Sequence, residues 1–336
     1  MTYFEKEDII NIASINYDWD KLKNKTLLIS GGTGFIGNFI CQVIKYKNKY
    51  NNQNTKIISI SRNGGSNEDN IIYIKADIRN QINITEKIDY VLHLASNTHP
   101  QVYASDPIGT ITTNIIGCIN LLNIVVKNKA KFFFASSVEI YGNSDDDFPM
   151  NENYCGYIDC NNARSGYNES KRVCESLIQA YRLKYGVYCV IGRFARIFGH
   201  DKKNDSKAIA QFINKAILKE DIILKSDGRQ RYSFCYIVDA VSAIFKLIFD
   251  GVDGEAYNIS DDDENCTLYD YANFIASLSN KKVVFKIEKN DFASKSCNAV
   301  LDNNKIKKLG WIPLYSVKDG LLRTYTIEKE YKKLNG

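Results

Sequence analysis

Tyr167-Asn-Glu-Ser-Lys171 sets a phenol and an ammonium four residues apart. On a helix that spacing puts both on one face, one turn from each other. A free tyrosine titrates near pKa ~10, too high for a base at neutral pH. A neighbouring lysine stabilises the phenolate and draws that value down, so the tyrosine can take a proton from a hydroxyl while hydride leaves the same carbon. Alone, such a pair is common as a surface contact. Phe134-Ala-Ser-Ser-Val-Glu-Ile-Tyr-Gly142 gives it company: Ser137 is positioned to hydrogen-bond the same hydroxyl, and Glu139 reaches the same cleft. The catalytic candidates are therefore Ser137, Glu139, Tyr167 and Lys171.

A second constellation supplies the hydride partner. Ser30-Gly31-Gly32-Thr33-Gly34-Phe35-Ile36-Gly37 follows an apolar run and opens a helical pattern. Gly31 allows a tight turn, Gly34 lets backbone amides approach a pyrophosphate, and Gly37 lets helix and strand pack closely. The phosphates then meet the positive end of the helix. Gly31, Thr33, Gly34, Phe35, Ile36 and Gly37 form the candidate cradle for NAD or NADP. The next strand ends in Ser61-Arg62-Asn63, without the carboxylate that would accept a ribose 2′-hydroxyl. Arg62 leans the choice toward NADP, although it serves equally well to stack on adenine. Asp77 and Ile78 are placed to contact the adenine edge; a loop cap is the other reading of Asp77.

Both constellations need a scaffold, and the chain alternates strand and helix to provide one. Strands are predicted at 26–30, 56–60, 71–74, 90–94, 132–135 and 188–192, apolar at most positions, as strands covered on both faces read. Helices near 36–47, 106–128 and 166–184 lie between them. This order implies right-handed crossovers and a parallel, doubly wound α/β sheet. Beyond about 195 a helix near 206–219, a strand at 222–224 and a helix near 238–249 suggest a smaller C-terminal lobe. Residues 1–24 read as a short amphipathic helix and a linker carrying Trp19. The organisation expected is thus 1–24, a dinucleotide-binding domain over 25–195, and a mainly substrate-binding lobe over 196–336, with some chain crossing back.

Composition removes several classes. With 44% hydrophobic and 25% charged residues, the 336-residue chain is of ordinary globular make-up. Its +5 net charge is spread without a basic block, giving little reason to expect nucleic acid. No stretch of about 18 consecutive apolar residues suggests a membrane span. No export signal is visible, so a cytoplasmic location is expected. Nine cysteines, an odd number without a Cys-x-x-Cys pair, read as reduced thiols. His93, His99 and His200 lack ligand-like spacing, and no metal site is expected.

Taken with the glycine turn, the order Ser137, Tyr167, Lys171 resembles the extended short-chain dehydrogenase/reductase family, many of whose members act on nucleotide sugars. The likeness extends through His93-Leu-Ala-Ser96, Asp106-Pro107, Asn114-Ile-Ile-Gly117, Asn120-Leu-Leu122, Gly254-Glu-Ala-Tyr-Asn-Ile259 and Leu309-Gly-Trp-Ile-Pro313. It implies a Rossmann-type sheet, a Ser137, Tyr167, Lys171 triad, and cofactor contacts at Leu94, Ala95, Ser96 and Asn114. His93 is structural on that reading. Most residues after 195 would bind the nucleotide sugar, and the helices near 106–128 and 166–184 would join two copies in a homodimer.

The resemblance also narrows the reaction. Oxidation at C4 of the sugar gives a ketone, which acidifies C5–H and makes a C6 carboxylate a β-keto acid. Dehydratases and decarboxylases of the family carry a glutamate at the position of Glu139, whereas simple 4-epimerases usually carry no acid there. Val138 stands where one dehydratase subgroup has an aspartic acid. The loop from Glu152 to Tyr167, with Arg164 three before the tyrosine, is similar to that of UDP-glucuronate decarboxylases, as is Leu94-Ala-Ser-Asn97 through Tyr103. Decarboxylation of a UDP-uronic acid leads; 4-epimerase, 4,6-dehydratase and NADPH-dependent 4-keto reductase follow, with a non-catalytic dinucleotide-binding scaffold more distant. Two departures stand out. Arg196 replaces the usual asparagine before Phe198-Gly199, and Tyr232 occupies the usual pyrophosphate arginine position, with Arg231 one residue early. Asn97, Tyr103, Arg164, Arg196, Arg231 and Tyr232 are the substrate-binding candidates.

Overall fold

Seven short strands lie side by side, all parallel, in a computed structural model that describes residues 1–98, 105–142, 148–201, 207–261, 266–287 and 298–335. They are β1 (Thr26–Ser30), β2 (Lys56–Ser61), β3 (Ile71–Lys75), β4 (Tyr90–His93), β5 (Lys131–Ser137), β6 (Tyr188–Phe194) and, after three strands outside this sheet, β10 (Ala256–Ile259). Their spatial order is β10-β6-β5-β4-β1-β2-β3. Central strands are almost wholly buried, and alternate residues serve opposite faces. Leu27, Ile29, Leu92 and Phe133 enter one apolar core. Leu28, Val91, Phe132 and Phe134 enter the other. The order reverses between β1 and β4, and at such a switch point the strand ends diverge and leave a crevice.

Six of the seven strands are those predicted. The seventh, β10, comes from far along the chain and pairs with β6 in register, Ala256 opposite Ile191. Its place in the sheet depends on a partner strand distant in sequence, which a local pattern does not reveal.

The helices that matter most run Phe35–Asn51, Pro107–Asn128 and Gly166–Tyr185. Asp106 caps the second, accepting from Gly109 N at 2.9 Å, with Pro107 at the first helical position. Gly186, at φ 65°, ends the third. The helix Pro107–Asn128 is long and apolar enough, by length and composition, to cross a membrane. Counting only unbroken apolar runs missed this, because threonines and asparagines interrupt it. Here Leu121, Leu122 and Val125 on one face belong to the core.

Two small two-stranded sheets stand apart from the main one. β7 (Arg196–Phe198) pairs with β9 (Phe234–Tyr236), and β8 (Ile222–Leu224) pairs with β11 (Val283–Phe285), both parallel. The segment predicted as a linker is part of the core: Trp19 is buried against Phe245 and Phe249, with Lys47 Nζ 4.6 Å over its ring. The first helix, Tyr3–Ser14, is anchored by Asp8, which accepts from Tyr236 Oη at 2.7 Å and pairs with Arg323 at 2.6 Å.

Candidate active site

β5 delivers Ser137 at its carboxyl end, and a single 3₁₀ turn, Val138–Tyr141, follows at once. Ser137 Oγ accepts from Glu139 N at 3.3 Å, which fixes the turn. The helix Gly166–Tyr185 begins beside it and buries Tyr167, Ser170, Lys171, Cys174 and Ile178, the 3-and-4 spacing of one helical face. Asn168, next to that face, donates to Glu139 Oε2 at 3.4 Å. Thus helix start and strand end are tied together where the sequence set its catalytic candidates.

Lys171 is 3% exposed, and its Nζ donates to Ala135 O at 2.7 Å. The ammonium lies 4.7 Å over the Phe134 ring and 5.9 Å from the Tyr167 ring centroid. Burial pulls its pKa down to about 8, against the opposing pull of nearby acidic groups. Tyr167 is itself buried. Behind the pair, Ser170 Oγ donates to Tyr167 O at 2.8 Å and accepts from Asn114 Nδ2 at 2.9 Å. Ser96 Oγ completes the line by donating to Asn114 Oδ1 at 2.7 Å. Asn114 therefore engages both ends of its amide inside the protein, positioning the helix that carries Tyr167. Ser170 was missed in the sequence; its place three residues after Tyr167 was the available signal.

Next to this lies a cleft of about 210 Å³, lined by Gly31, Thr33, Gly34, Arg62, Asp77, Ile78, Ala95, Ser96 and Asn97 among others. Thr113, one residue before Asn114, also lines it and was not foreseen. Gly31 has φ 78°, and a Cβ there would lie 3.0 Å from the Ala95 backbone. A Cβ on Gly37 would lie 2.3 Å from Gly31 O. The turn is thus a close-packed cradle that side chains would fill. Gly34 caps the helix Phe35–Asn51 without any side-chain hydrogen bond, leaving its first amides for a ligand. These features fit a dinucleotide.

Other cofactor candidates divide by role. Asp77 is held by Arg79 at 2.6 Å, which keeps its carboxyl below the usual range. The Ile78 side chain packs into the core over Gly117. Arg62 is exposed at the cleft's edge. Phe35 and Ile36 are half-buried at the helix start, and Leu94 N donates to Ser30 O at 3.2 Å. His93 is buried with Nδ1 2.9 Å from Ser30 Oγ, and burial, aided by the Lys171 charge, lowers its pKa to about 3. A neutral histidine follows.

The substrate candidates are less uniformly gathered. Asn97 is buried and donates to Thr110 Oγ1 at 3.2 Å. Arg196 Nη2 lies 3.9 Å from Glu139 Oε1, and its guanidinium carbon sits 3.7 Å from the Tyr232 ring centroid. Arg231 is half-buried, its backbone bridged to Thr267. Arg164 is exposed in the turn Ala163–Ser165. Tyr103, His99 and Cys297 lie outside the described residues.

A model of the NAD dependent epimerase/dehydratase family matches residues 27–260. UDP-glucuronic acid decarboxylase 3 of Arabidopsis thaliana is 30% identical over 308 residues, covering 89% of this chain and 87% of the relative. UDP-glucuronic acid decarboxylase 1 of Danio rerio is 29% identical over 311 residues, covering 89% and 72%. Among solved structures, UDP-glucose 4-epimerase of Thermotoga maritima shares the fold with a TM-score of 0.77 at 23% identity, covering 92% of this chain and 99% of that one. A dTDP-glucose 4,6-dehydratase of Streptomyces venezuelae, solved with NAD, gives 0.76 at 21% identity, covering 92% and 98%.

Proposed function

Because this chain belongs to the NAD dependent epimerase/dehydratase family, we propose that it is an NAD-dependent enzyme that oxidises C4 of a UDP-sugar and decarboxylates UDP-glucuronate. The observation that carries this reading is the convergence of Ser137, Glu139, Tyr167 and Lys171 where β5 meets the helix Gly166–Tyr185, beside the glycine cradle.

Bound NAD would supply the acceptor for the C4 hydride and return it at the end of the cycle. Gly31, Gly34 and the amides opening the helix Phe35–Asn51 would hold its phosphates, with Asp77 and Ile78 toward the adenine. Tyr167 takes the proton of the C4 hydroxyl, and Ser137 hydrogen-bonds that oxygen. Lys171, fixed by Ala135 O, keeps a positive charge near the phenol. Once C4 is a ketone, the C5–C6 bond can break with loss of carbon dioxide, its electron pair passing into the C4–C5 enolate. Glu139 is the group for proton movement at C5.

Purified protein mixed with UDP-glucuronate releases carbon dioxide on this reading, and no turnover of any nucleotide sugar in a mass-spectrometric screen would end it. Glu139→Gln sharpens the test. It should cripple C5 chemistry while sparing C4 oxidation, and a variant of undiminished activity points to a 4-epimerase or reductase instead. For the cofactor, Arg62 supports acceptance of a 2′-phosphate, and Arg62→Ala should weaken NADP while leaving NAD binding unchanged. A homodimer through the helices Pro107–Asn128 and Gly166–Tyr185 suits their exposed Ile108, Ile116 and Val173. The buried thiols of Cys41, Cys118, Cys174, Cys189 and Cys235 lie outside any disulfide, which suits a reducing compartment such as the cytoplasm.

A further inference from the structure

Arg196 and Tyr232 are the two departures from the family pattern, and the structure brings them into contact. Parallel pairing of β7 with β9 sets Arg196 opposite Phe234, two residues from Tyr232. Arg196 N donates to Ser233 O at 3.2 Å, which fixes the backbone, and the guanidinium carbon lies 3.7 Å from the Tyr232 ring centroid. A guanidinium against an aromatic ring is braced, and its in-plane N–H groups remain directional donors. Nη2 lies 3.9 Å from Glu139 Oε1, too far for a hydrogen bond. Nη1 is buried and has no partner among the described residues. A buried cationic donor without an acceptor is costly, so this one is built for an acceptor that arrives. Lys207, at the start of the helix Ala208–Ile217, is close enough to feel the charge of Arg196. Its pKa is lowered, by burial first, with Arg196 adding to the effect and Asp201 opposing it.

We propose that Arg196, braced by Tyr232, is an anion-binding residue of this site. It receives an oxyanion of the nucleotide sugar, from the sugar carboxylate or from the diphosphate, and thereby sets the sugar against Glu139. The arginine expected at position 232 has in effect moved across to β7, with a tyrosine left behind as its support. The inference rests on the nucleotide-sugar reading above and adds which residue reads the substrate's negative charge.

The test is calorimetric titration of NAD-loaded protein with UDP, UDP-glucose and UDP-glucuronate. Arg196→Asn should weaken binding roughly 10- to 100-fold, the value of a charge-assisted hydrogen bond. Loss for all three ligands identifies the diphosphate, and loss for UDP-glucuronate alone identifies the carboxylate. Arg196→Lys, which keeps charge but not the fork, should weaken the same ligands by less, and it carries the test if the asparagine variant does not fold. The double variant Arg196→Asn/Tyr232→Arg, which restores the usual arrangement, should recover binding if the diphosphate is the partner. Unchanged affinity for all three ligands in both single variants, with NAD content and melting temperature retained, overturns the role of Arg196 alone. Wild-type protein that binds none of the three overturns the nucleotide-sugar reading and this inference with it.

Discussion

At the residue scale, the chemistry turns on a lysine that the fold has made unusually easy to deprotonate. Lys171 titrates at about 8 because it is buried, whereas an unfolded lysine titrates near ~10.4. Its charge, and with it the support for the Tyr167 phenolate, disappears as pH rises through about 8. Initial rates should therefore fall on that alkaline side. The folded chain gives up this proton at a lower pH than the unfolded one, so the Lys171 contribution to stability rises with pH across about 8 to ~10.4. The loss of rate would then not be unfolding, which circular dichroism at each pH checks. Lys171→Arg, charged throughout, should move the alkaline limb upward while lowering the maximum. Tyr167→Phe should cost about 10²- to 10⁴-fold in kcat with nucleotide binding retained, as measured by single-turnover kinetics. His93 adds a prediction of the same sign in the acid range. Unfolded histidine binds a proton below about 6.5, but this buried ring resists protonation until about 3. Stability should fall as pH drops through that window, and urea titrations of His93→Asn should show a shallower fall.

At the element scale, the turn between β1 and the helix Phe35–Asn51 is the tightest packing in the site. Gly37→Ala forces a methyl to within 2.3 Å of the Gly31 carbonyl, a backbone atom that cannot step aside. Overpacking of this kind costs about 1–3 kcal/mol of stability, which chemical denaturation should register, and NAD affinity measured by fluorescence should fall because the cradle is displaced. This turn was legible in the sequence because glycines at fixed offsets have few other uses. The strands β1 to β6 were legible too, since burial on both faces leaves an unbroken apolar signature. β10 and the 3₁₀ turn at Trp19–Leu22 were not, because their places depend on partners distant in sequence. The same limit applies to side chains. Asn114 read as a cofactor contact, yet its amide lies between Ser96 and Ser170, a pairing visible only once two helices pack. Arg196 could be recognised as a departure from pattern, but not as the neighbour of Tyr232.

At the scale of the whole molecule, the two ends of the chain meet. Asp8 is 1% exposed, and burial holds its carboxyl above the ordinary value even beside Arg323. Arg323→Ala would leave that group buried without its cation and should cost about 3–5 kcal/mol in chemical denaturation, against little for the double variant with Asp8→Asn. Arg323 also donates to Phe4 O at 3.2 Å and pairs with Glu7 at 2.8 Å, so three points of the first helix depend on the last. Residues 8 and 323 stand 315 apart in sequence. During synthesis part of this helix's berth comes early, since Lys47 Nζ donates to Ala13 O at 3.2 Å. Asp8 must nevertheless wait for Arg323, and a nascent chain arrested short of that residue should yield the segment to proteases more readily than the finished protein does.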